Sequence, residues 1–534
     1  MLNQFAPHLD DSLLSVLLAL PCLGILALAF LPRGSHRAIH GFTAGLMLVE
    51  FLLSLRLLAA DYTTGGYQHV TSHTLMPRFG IGYTLGVDGI SLWLVLLTTF
   101  MTPLALLGSW SSIESKRREF AICFLFLETA MIGAFVALDV FLFYVFWELV
   151  LVPAYLIIGI WGGAERIKAS VKFFLYTLAG SLLMFVAIVY LASAYNSVAG
   201  VYTFDIRELS ALVLDADTQL VLFLAFALAF AIKIPLVPFH TWVPLAYGEA
   251  PTGGTVMLTA VLLKMGTYGF IRFAMPLFPL ATHRAAPTLS VLAIVGILFG
   301  AYCAWVQKDV KKLIAYSSIS HLGFVMLGIF SVTPAGVGGA VLQMVNHGIS
   351  TGALFLLVGV ITERRQTRDL SDLGGLAKVM PLYAAVFVLV ALSSIGVPGL
   401  NGFVGEFLIL NGTFLSRSLP TPFFFALFAA LGLIFSAVYM LRAVLKMFWG
   451  PVTNPDNEDL TDLGRSELLS LAPLVAMVIV LGLAPSLVQG KVTASVSTFL
   501  RGYDRKLLDS AQGGSAHLLK PLPAGIALKE GEER

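Results

Sequence analysis

The sequence contains few charged residues for its length. Only 12% of its 534 residues are Asp, Glu, Lys or Arg, and the net charge of +2 comes from basic residues that are spread along the chain. Soluble globular domains carry about twice that fraction of charge, so the composition excludes an ordinary soluble protein of several domains. No basic patch is present that would bind nucleic acid or an acidic partner.

Cysteines and enzyme motifs are also scarce. The three cysteines, Cys22, Cys123 and Cys303, lie singly inside apolar runs, without a CxxC pair or a histidine at ligand spacing. We therefore expect neither a zinc site nor an iron–sulfur cluster on this chain. No Walker A, HExxH or GxSxG motif occurs, and the glycines of the stretch 80–86 have the wrong spacing for a dinucleotide loop.

Long apolar runs dominate the chain, in which 58% of residues are hydrophobic. A helix needs about 20 apolar residues to cross a bilayer, and this criterion predicts an all-α polytopic membrane protein of about fourteen transmembrane helices. The predicted spans are 12–32, 40–60, 87–109, 119–137, 139–161, 170–195, 217–245, 253–275, 287–306, 309–331, 335–362, 381–413, 420–449 and 467–500.

Basic residues predict the orientation of these spans. Most Lys and Arg residues outside the final segment lie in loops that follow odd-numbered spans, such as 110–119 and 363–378. Such loops stay in the cytoplasm, so we expect both termini on the outer, periplasmic side. The polar segment 502–534 is predicted to be a mobile surface tail.

Two predicted spans contain a similar interruption. Ala-Ile-Lys-Ile-Pro at 231–235 and Ser-Ile-Gly-Val-Pro at 394–398 share the pattern Ile-x-Ile/Val-Pro. Broken helices at corresponding places in two halves of a chain indicate an inverted-repeat transporter with its functional site beside the breaks. Two independent proline kinks remain an alternative.

Four ionisable residues fall near the middle of predicted spans: Glu148, Lys233, Lys264 and Glu406. Each costs about 2.5–3.5 kcal/mol to insert at the bilayer centre, so each needs a partner, a hydrated cavity or a function. Glu50 and Glu128 are further acids inside spans, and the sequence gives no explanation for them.

Lys233 lies next to prolines that cannot donate backbone hydrogen bonds. Pro235 and Pro238 should leave the carbonyls of Ala231 and Ile234 free for water or for the ammonium group. Movement of a nearby carboxylate towards or away from such a lysine would load or unload its proton. A static bridge between Glu148 and the lysine is the structural alternative.

Three histidines, His240, His321 and His347, lie in or at the ends of apolar spans. Imidazole relays protons near neutral pH, although each could instead be a hydrogen-bonded core residue. His240 follows Lys233 by seven residues, which is two turns along one face of a continuous helix. Nothing indicates the facing axial ligands that haem would need.

Several of these residues belong to recognisable motifs. The sequence resembles the proton-translocating antiporter-like family shared by respiratory complex I and the multisubunit cation/proton antiporters. The glutamate at 406 is similar to the one found in one branch of the complex I subunits. The neighbouring subunits have a lysine at that position. The motifs are Phe-Trp-Glu at 146–148, Ile-Lys-Ile-Pro-Leu-Val-Pro-Phe-His-Thr-Trp-Val-Pro-Leu-Ala at 232–246, Glu-Ala-Pro-Thr at 249–252, Ser-Ser-Ile-Ser-His at 317–321 and Gly-Phe-Val-Gly-Glu at 402–406.

The resemblance implies a specific architecture. The family has fourteen helices with two inverted five-helix repeats and discontinuous helices 7 and 12. The expected organisation is an N-terminal three-helix segment at 1–110, a first repeat at 111–280, a second at 281–450, and a last helix with a polar tail at 451–534.

The resemblance also implies roles for individual residues. Glu148 would be the carboxylate coupled to Lys233, Lys264 the central connecting lysine, and Glu406 the terminal proton-transfer group. His321 and His347 match the relay histidines between them.

The expected function is proton translocation driven by quinone reduction in other subunits. Flavin, iron–sulfur clusters and quinone would all be bound by partner subunits, so no cofactor or metal is expected on this chain. The partners would be other membrane subunits of complex I, including L-type and N-type neighbours, within the lipid of a bacterial inner membrane.

Three other functions stay open at this stage. The chain could belong to a multisubunit sodium/proton antiporter, in which the motifs around 148 and 233 would look much the same. It could also be a stand-alone solute transporter, or a structural membrane spacer whose charges form static pairs.

Overall fold

The computed structural model describes residues 2–452, 454–512 and 516–519. Helices account for most of these residues, and the prediction of an all-α polytopic membrane protein is confirmed at this level. We number seventeen helices in chain order: α1 Leu2–Phe30, α2 His36–Ser54, α3 Ser91–Leu107, α4 Arg117–Val136, α5 Val140–Trp161, α6 Arg166–Ala199, α7 Ala216–Lys233, α8 Val243–Glu249, α9 Thr252–Leu277, α10 Pro279–Val306, α11 Val310–Phe330, α12 Pro334–Arg365, α13 Pro381–Ser394, α14 Asn401–Phe414, α15 Pro422–Phe448, α16 Arg465–Leu483 and α17 Ser486–Ala511.

Within the described ranges, 12 helices are long and apolar enough to cross a membrane. Two shorter apolar helices, α3 and α13, accompany them. The count of fourteen spans, the two repeats and the domain boundaries stay predictions.

Short turns separate neighbouring helices where the sequence placed them. Asp139 starts α5 by accepting a hydrogen bond from the Leu142 amide at 2.9 Å. Asp309 starts α11 by accepting from the amides of Lys311 and Lys312 at 2.8 and 3.1 Å. Each aspartate satisfies amide groups that have no partner inside the helix, so three residues suffice for the turn.

A β-hairpin occupies the loop between α2 and α3, where the sequence predicted no element. Strands β1 (Gln68–Met76) and β2 (Ile81–Val87) pair antiparallel. A second small pair joins β3 (Leu212–Val213) to β4 (His517–Leu518). The alternation of apolar and polar residues that would predict a strand is weak in β1, because most of its side chains are exposed.

The C-terminal region differs from the prediction in two ways. The span predicted at 467–500 ends at Leu483, and α17 begins one turn later, after Pro485. The tail predicted from residue 502 is helical up to residue 511, and Tyr503 and Lys506 are buried. Residues 513–515 and 520–534 of that predicted tail lie outside the described residues.

Three helices form the centre of the molecule. In the apolar stretches of α9, α11 and α12, 100%, 94% and 100% of the residues are buried, whereas in that of α15 only 28% are buried. Lys264, His321 and His347 lie on these three central helices. Any charge that they carry is therefore shielded from lipid by surrounding protein.

The connecting turns gather on two opposite faces. On the first, which we call the Glu249 face, turns at 108–116, 162–165, 250–251, 307–309 and 366–375 surround a cavity of about 1110 Å³. On the second, the Asp88 face, the segments 60–90, 200–215 and 495–506 surround a cavity of about 540 Å³. Loops after odd-numbered predicted spans lie on the Glu249 face, and its cytoplasmic location stays a prediction.

Candidate functional site

The first predicted break is present at Lys233, which is the last residue of α7. The chain then runs without regular helix until α8 begins at Val243. Pro235 cannot donate to the Ala231 carbonyl, and the Leu236 amide does so instead at 2.9 Å. The prediction that this carbonyl is free was therefore wrong, because the chain reorganises by one residue to satisfy it.

The second predicted break lies between α13 and α14. The Val397 amide bonds the Leu392 carbonyl at 3.1 Å, five residues back, just as Leu236 bonds Ala231 at the first break. Gly396 has a φ of +76°, and a Cβ atom there would lie 3.0 Å from Glu406 Oε2. Glycine is favoured at this position because the left-handed backbone would be strained by a side chain and the nearby carboxylate would have to shift.

Lys233 forms no ion pair with any residue that the structure describes. Its side chain is fully buried, and its ammonium lies 4.3 Å from the ring centroid of Trp147. No hydrogen-bond partner reaches its Nζ atom among the described residues. A desolvated contact of this kind contributes about 2 kcal/mol, so the aromatic face stabilises the ammonium in place of a carboxylate.

Glu148 is next to Trp147 in α5 and interacts electrostatically with Lys233. Its Oε1 atom is buried without a hydrogen-bond partner, and within the described part of the chain it forms no ion pair with Lys233 inside 4.0 Å. The two groups are therefore close enough to influence one another but are not bridged. This geometry differs from the static bridge that the sequence left open.

Lys264 lies at the centre of α9, between two π-helical turns, Leu258–Leu262 and Phe270–Ala274. Its Nζ atom is 2.7 Å from His347 Nδ1 and donates to the Thr259 carbonyl at 2.6 Å. Both side chains are buried. An ammonium at this distance needs an unprotonated ring nitrogen, so one proton lies between the two groups.

His321 and Glu406 form the next direct contact. His321 Nδ1 is 3.0 Å from Glu406 Oε1, and the same oxygen accepts from Gln343 Nε2 at 3.1 Å. The other ring nitrogen, Nε2, lies 3.3 Å from the Ser394 hydroxyl at the end of α13. Glu406 is 2% exposed, so its carboxylate depends on these partners.

A gap separates the two contacts. The rings of His347 and His321 are 5.7 Å apart between centroids, and His347 Nε2 has no hydrogen-bond partner in the described ranges of the chain. Both rings line a cavity of about 10 Å³. That volume is about the least that can hold one water molecule, which could link the rings.

His240 lies away from these groups. Because α7 ends at Lys233, the helical register that would have aligned the two residues is lost. The His240 ring packs edge-on against Phe299 at 5.2 Å, and its Nδ1 atom finds no hydrogen-bond partner among the residues described. A relay role for His240 stays a prediction that the contacts do not support.

Polar residues at the second break were missed by sequence reasoning. Asn346 Nδ2 donates to the Asn401 carbonyl at 2.6 Å, and the Asn401 side chain accepts from Ser350 and Ser393. These contacts attach the break to α12. The signal in the sequence was their position close to predicted site residues. Asn346 is next to His347, and Asn401 starts the helix that contains Glu406.

The unexplained acids at 50 and 128 form a pair. Glu50 on α2 and Glu128 on α4 are both fully buried and interact with each other electrostatically. Among the described residues, no group of three or more His, Cys, Asp or Glu side chains is placed to hold a metal ion.

Comparisons with known proteins identify the family of this chain. Residues 137–443 match the family described as NADH:quinone oxidoreductase/Mrp antiporter, transmembrane, and residues 43–134 match the amino terminus of NADH-ubiquinone oxidoreductase chain 4. The chain is similar to NADH-quinone oxidoreductase subunit M of Rhodobacter capsulatus, with 43% identity over 94% of this chain and 99% of the relative. It is 39% identical to chain 4 of Marchantia polymorpha over 94% and 99%.

Solved structures give the same result. A chain of respiratory complex I from Thermus thermophilus superposes with a TM-score of 0.81 and 34% identity, covering 93% of this chain and 99% of that one. A chain of the Mrp complex from Dietzia shares the fold alone, with a TM-score of 0.78, 21% identity and coverage of 95% and 100%. The predicted family is confirmed, and the chain belongs to the NADH:quinone oxidoreductase/Mrp antiporter transmembrane family.

Proposed function

We propose that this chain translocates protons as a membrane-arm subunit of an NADH:quinone oxidoreductase, driven by quinone reduction in other subunits. The observation that carries the proposal is the buried series of contacts from Lys264 through His347 and His321 to Glu406. Each member can take up and release a proton, and the one gap has room for about one water molecule.

The relatives support the assembly. Because they are subunits of NADH-quinone oxidoreductases, the partners of this chain would be other subunits of such a complex, including L-type and N-type neighbours. Flavin, iron–sulfur clusters and quinone would be bound by those partners. The expected location is a bacterial inner membrane with both termini periplasmic, and the two similar breaks support fourteen spans in two inverted repeats.

The proposed mechanism begins at the separated pair of Glu148 and Lys233. Quinone chemistry elsewhere shifts charge towards this chain and changes the distance between the carboxylate and the ammonium. When Glu148 is near, it stabilises the protonated lysine. When it withdraws, Lys233 releases its proton, which passes to Lys264 and through the histidines towards Glu406.

The second candidate is a subunit of a multisubunit sodium/proton antiporter. The chain shares its fold with a chain of the Mrp complex, but the relatives with the higher sequence identity are complex I subunits. Purification from gently solubilised membranes distinguishes the two, since flavin and iron–sulfur proteins should accompany this chain only in an NADH:quinone oxidoreductase.

Substitution of Glu148→Gln tests the switch. It keeps the size of the side chain but removes the negative charge that acts on a buried lysine, so burial then favours the neutral form of Lys233. We expect proton pumping and NADH:quinone activity in vesicles to fall together by about tenfold or more, which corresponds to ~1.4 kcal/mol in the barrier.

Two controls accompany this experiment. NADH oxidation by an artificial acceptor that bypasses quinone should persist, because the redox subunits are untouched. Glu148→Asp should retain part of the activity, since it keeps the charge on a shorter side chain, and Lys233→Ala should resemble Glu148→Gln. Pumping near the wild-type rate by assembled Glu148→Gln complex would rule out the switch.

A further inference from the structure

An ion pair that the proposed pathway does not use lies two turns below Lys264. Lys264, Tyr268 and Arg272 follow one another at intervals of four residues, which places them on one side of α9. Eight residues of helix correspond to about 12 Å along the axis. Arg272 also lies in the π-helical turn Phe270–Ala274, and such turns are frequent at functional sites.

Three side chains hold the Arg272 guanidinium in place. Its Nη2 atom lies 2.6 Å from Asp88 Oδ2, Nη1 donates to the Tyr67 hydroxyl at 2.9 Å, and Nε donates to the Tyr268 hydroxyl at 3.2 Å. The Tyr268 hydroxyl in turn donates to the Phe135 carbonyl at 2.9 Å. Each of the three guanidinium nitrogens therefore has one partner that fixes its position.

Asp88 is itself fixed. Its Oδ1 atom accepts from the amides of Ile90 and Ser91, both at 3.0 Å, at the start of α3. The N-terminus of a helix favours a negative charge, so the carboxylate is stabilised on two sides. Asp88 and Arg272 are 3% and 7% exposed, which makes this a buried pair in a fixed position.

The pair forms the inner wall of the cavity of about 540 Å³ on the Asp88 face. Four cationic side chains line this cavity, and Asp88 is the one carboxylate among its described lining residues. The Lys506 ammonium donates to the carbonyls of Pro276 and Leu277, where α9 ends. The cations are Arg207, Arg272, Arg505 and Lys506.

Arg272 and Asp88 have no net charge together, but the guanidinium belongs to α9, the helix of Lys264, so the positive end of the pair is the end attached to the helix of the proton carrier. A positive group fixed there repels protons that move between Lys264 and the cavity. We propose that the Arg272–Asp88 pair is an electrostatic seal that prevents protons on Lys264 from exchanging with water in the cavity of the Asp88 face. The inference rests on the proposed function in one respect, that Lys264 carries protons.

The seal is tested by passive leak, which requires no turnover. Purified complex is reconstituted in liposomes, a pH difference is imposed without NADH, and its decay is followed with a pH-sensitive dye. The variant is the double substitution Asp88→Asn with Arg272→Gln, which removes both charges together and leaves no unpaired charge to prevent folding. We expect the decay to accelerate by about tenfold.

The matched control is Asp205→Asn with Arg207→Gln. Arg207 lines the same cavity and pairs with Asp205, with Nη2 and Oδ2 2.5 Å apart, but it is partly exposed and is not on α9. Its removal should leave the decay unchanged. Addition of Lys264→Met to the leaking variant should restore slow decay, and a leak that persists would count against the role of Lys264 rather than against the seal.

Loss of assembly is covered by Arg272→Lys, which keeps the cation but cannot bond Asp88 and both tyrosines at once. A seal predicts normal amounts of complex with slow decay. A double variant that assembles and holds its pH difference would overturn the proposal. So would a failure of both the double variant and Arg272→Lys to assemble, since the pair would then be structural.

Discussion

His347 is the group whose removal should interrupt proton transfer most directly. The substitution His347→Leu removes the Nδ1 atom that lies 2.7 Å from Lys264 Nζ, leaving the Thr259 carbonyl as the remaining described partner of that ammonium. A hydrogen bond to a charged group contributes about 1.5–3 kcal/mol. Because 1.4 kcal/mol is a factor of ten, its loss alone should slow transfer by about 10-fold to 150-fold.

The assay is NADH:quinone activity and proton pumping in membrane vesicles, normalised to assembled complex. Both should fall by at least about tenfold in His347→Leu. His347→Gln separates a relay from a structural contact, because its amide can accept from Lys264 but cannot exchange a proton. A relay predicts assembled His347→Gln complex that does not pump.

His240→Leu is the matched control. It also removes a largely buried histidine, but the ring of His240 packs on Phe299. No described side-chain contact joins it to Lys264, His347, His321 or Glu406. We expect activity close to wild type. Pumping near the wild-type rate in His347→Leu, or an equal loss in His240→Leu, would refute the pathway as drawn from these contacts.

Two further predictions concern the break and the orientation. Pro235→Ala adds an amide that competes with Leu236 for the Ala231 carbonyl and extends α7, so pumping should weaken in complex that still assembles. Unchanged pumping would show that the break is not needed. A cysteine introduced at 110–119 or 363–378 should resist a membrane-impermeant thiol reagent in intact cells, and labelling from outside would reverse the topology.

The sequence predicted those features that depend on the covalent chain alone. Proline at 235 and at 398 removes a backbone hydrogen-bond donor whatever surrounds the helix, so both breaks could be predicted without a structure. The spans of about 20 residues and the turns at Asp139 and Asp309 also follow from local composition. These features required no knowledge of neighbouring helices.

The remaining features depend on tertiary contacts. Gln343 and Asn401 look like ordinary polar residues until α12 and α14 are placed together, when they contact Glu406 and the second break. The π-helical turns of α9 have no sequence signature, because they arise from packing. Lys506 was assigned to a mobile tail because the sequence does not show its partners. These are the carbonyls of Pro276 and Leu277, which lie 229 residues or more away along the chain.

Two interruptions along the proposed path from Lys233 to Glu406 explain how transfer can be conditional. Lys233 Nζ has no hydrogen-bond partner among the described residues, and the rings of His347 and His321 are 5.7 Å apart. Proton transfer needs a continuous chain of hydrogen bonds, so neither interruption conducts while it is dry.

Both interruptions lie beside a broken helix, where backbone groups can bind water without unfolding a span. The cavity between the histidines, at about 10 Å³, holds at most about one water molecule, so a small displacement of α14 or α12 would be enough to fill or empty it. We infer that coupling acts on hydration at these two points, since the continuous and fully buried α9 has no comparable freedom to open.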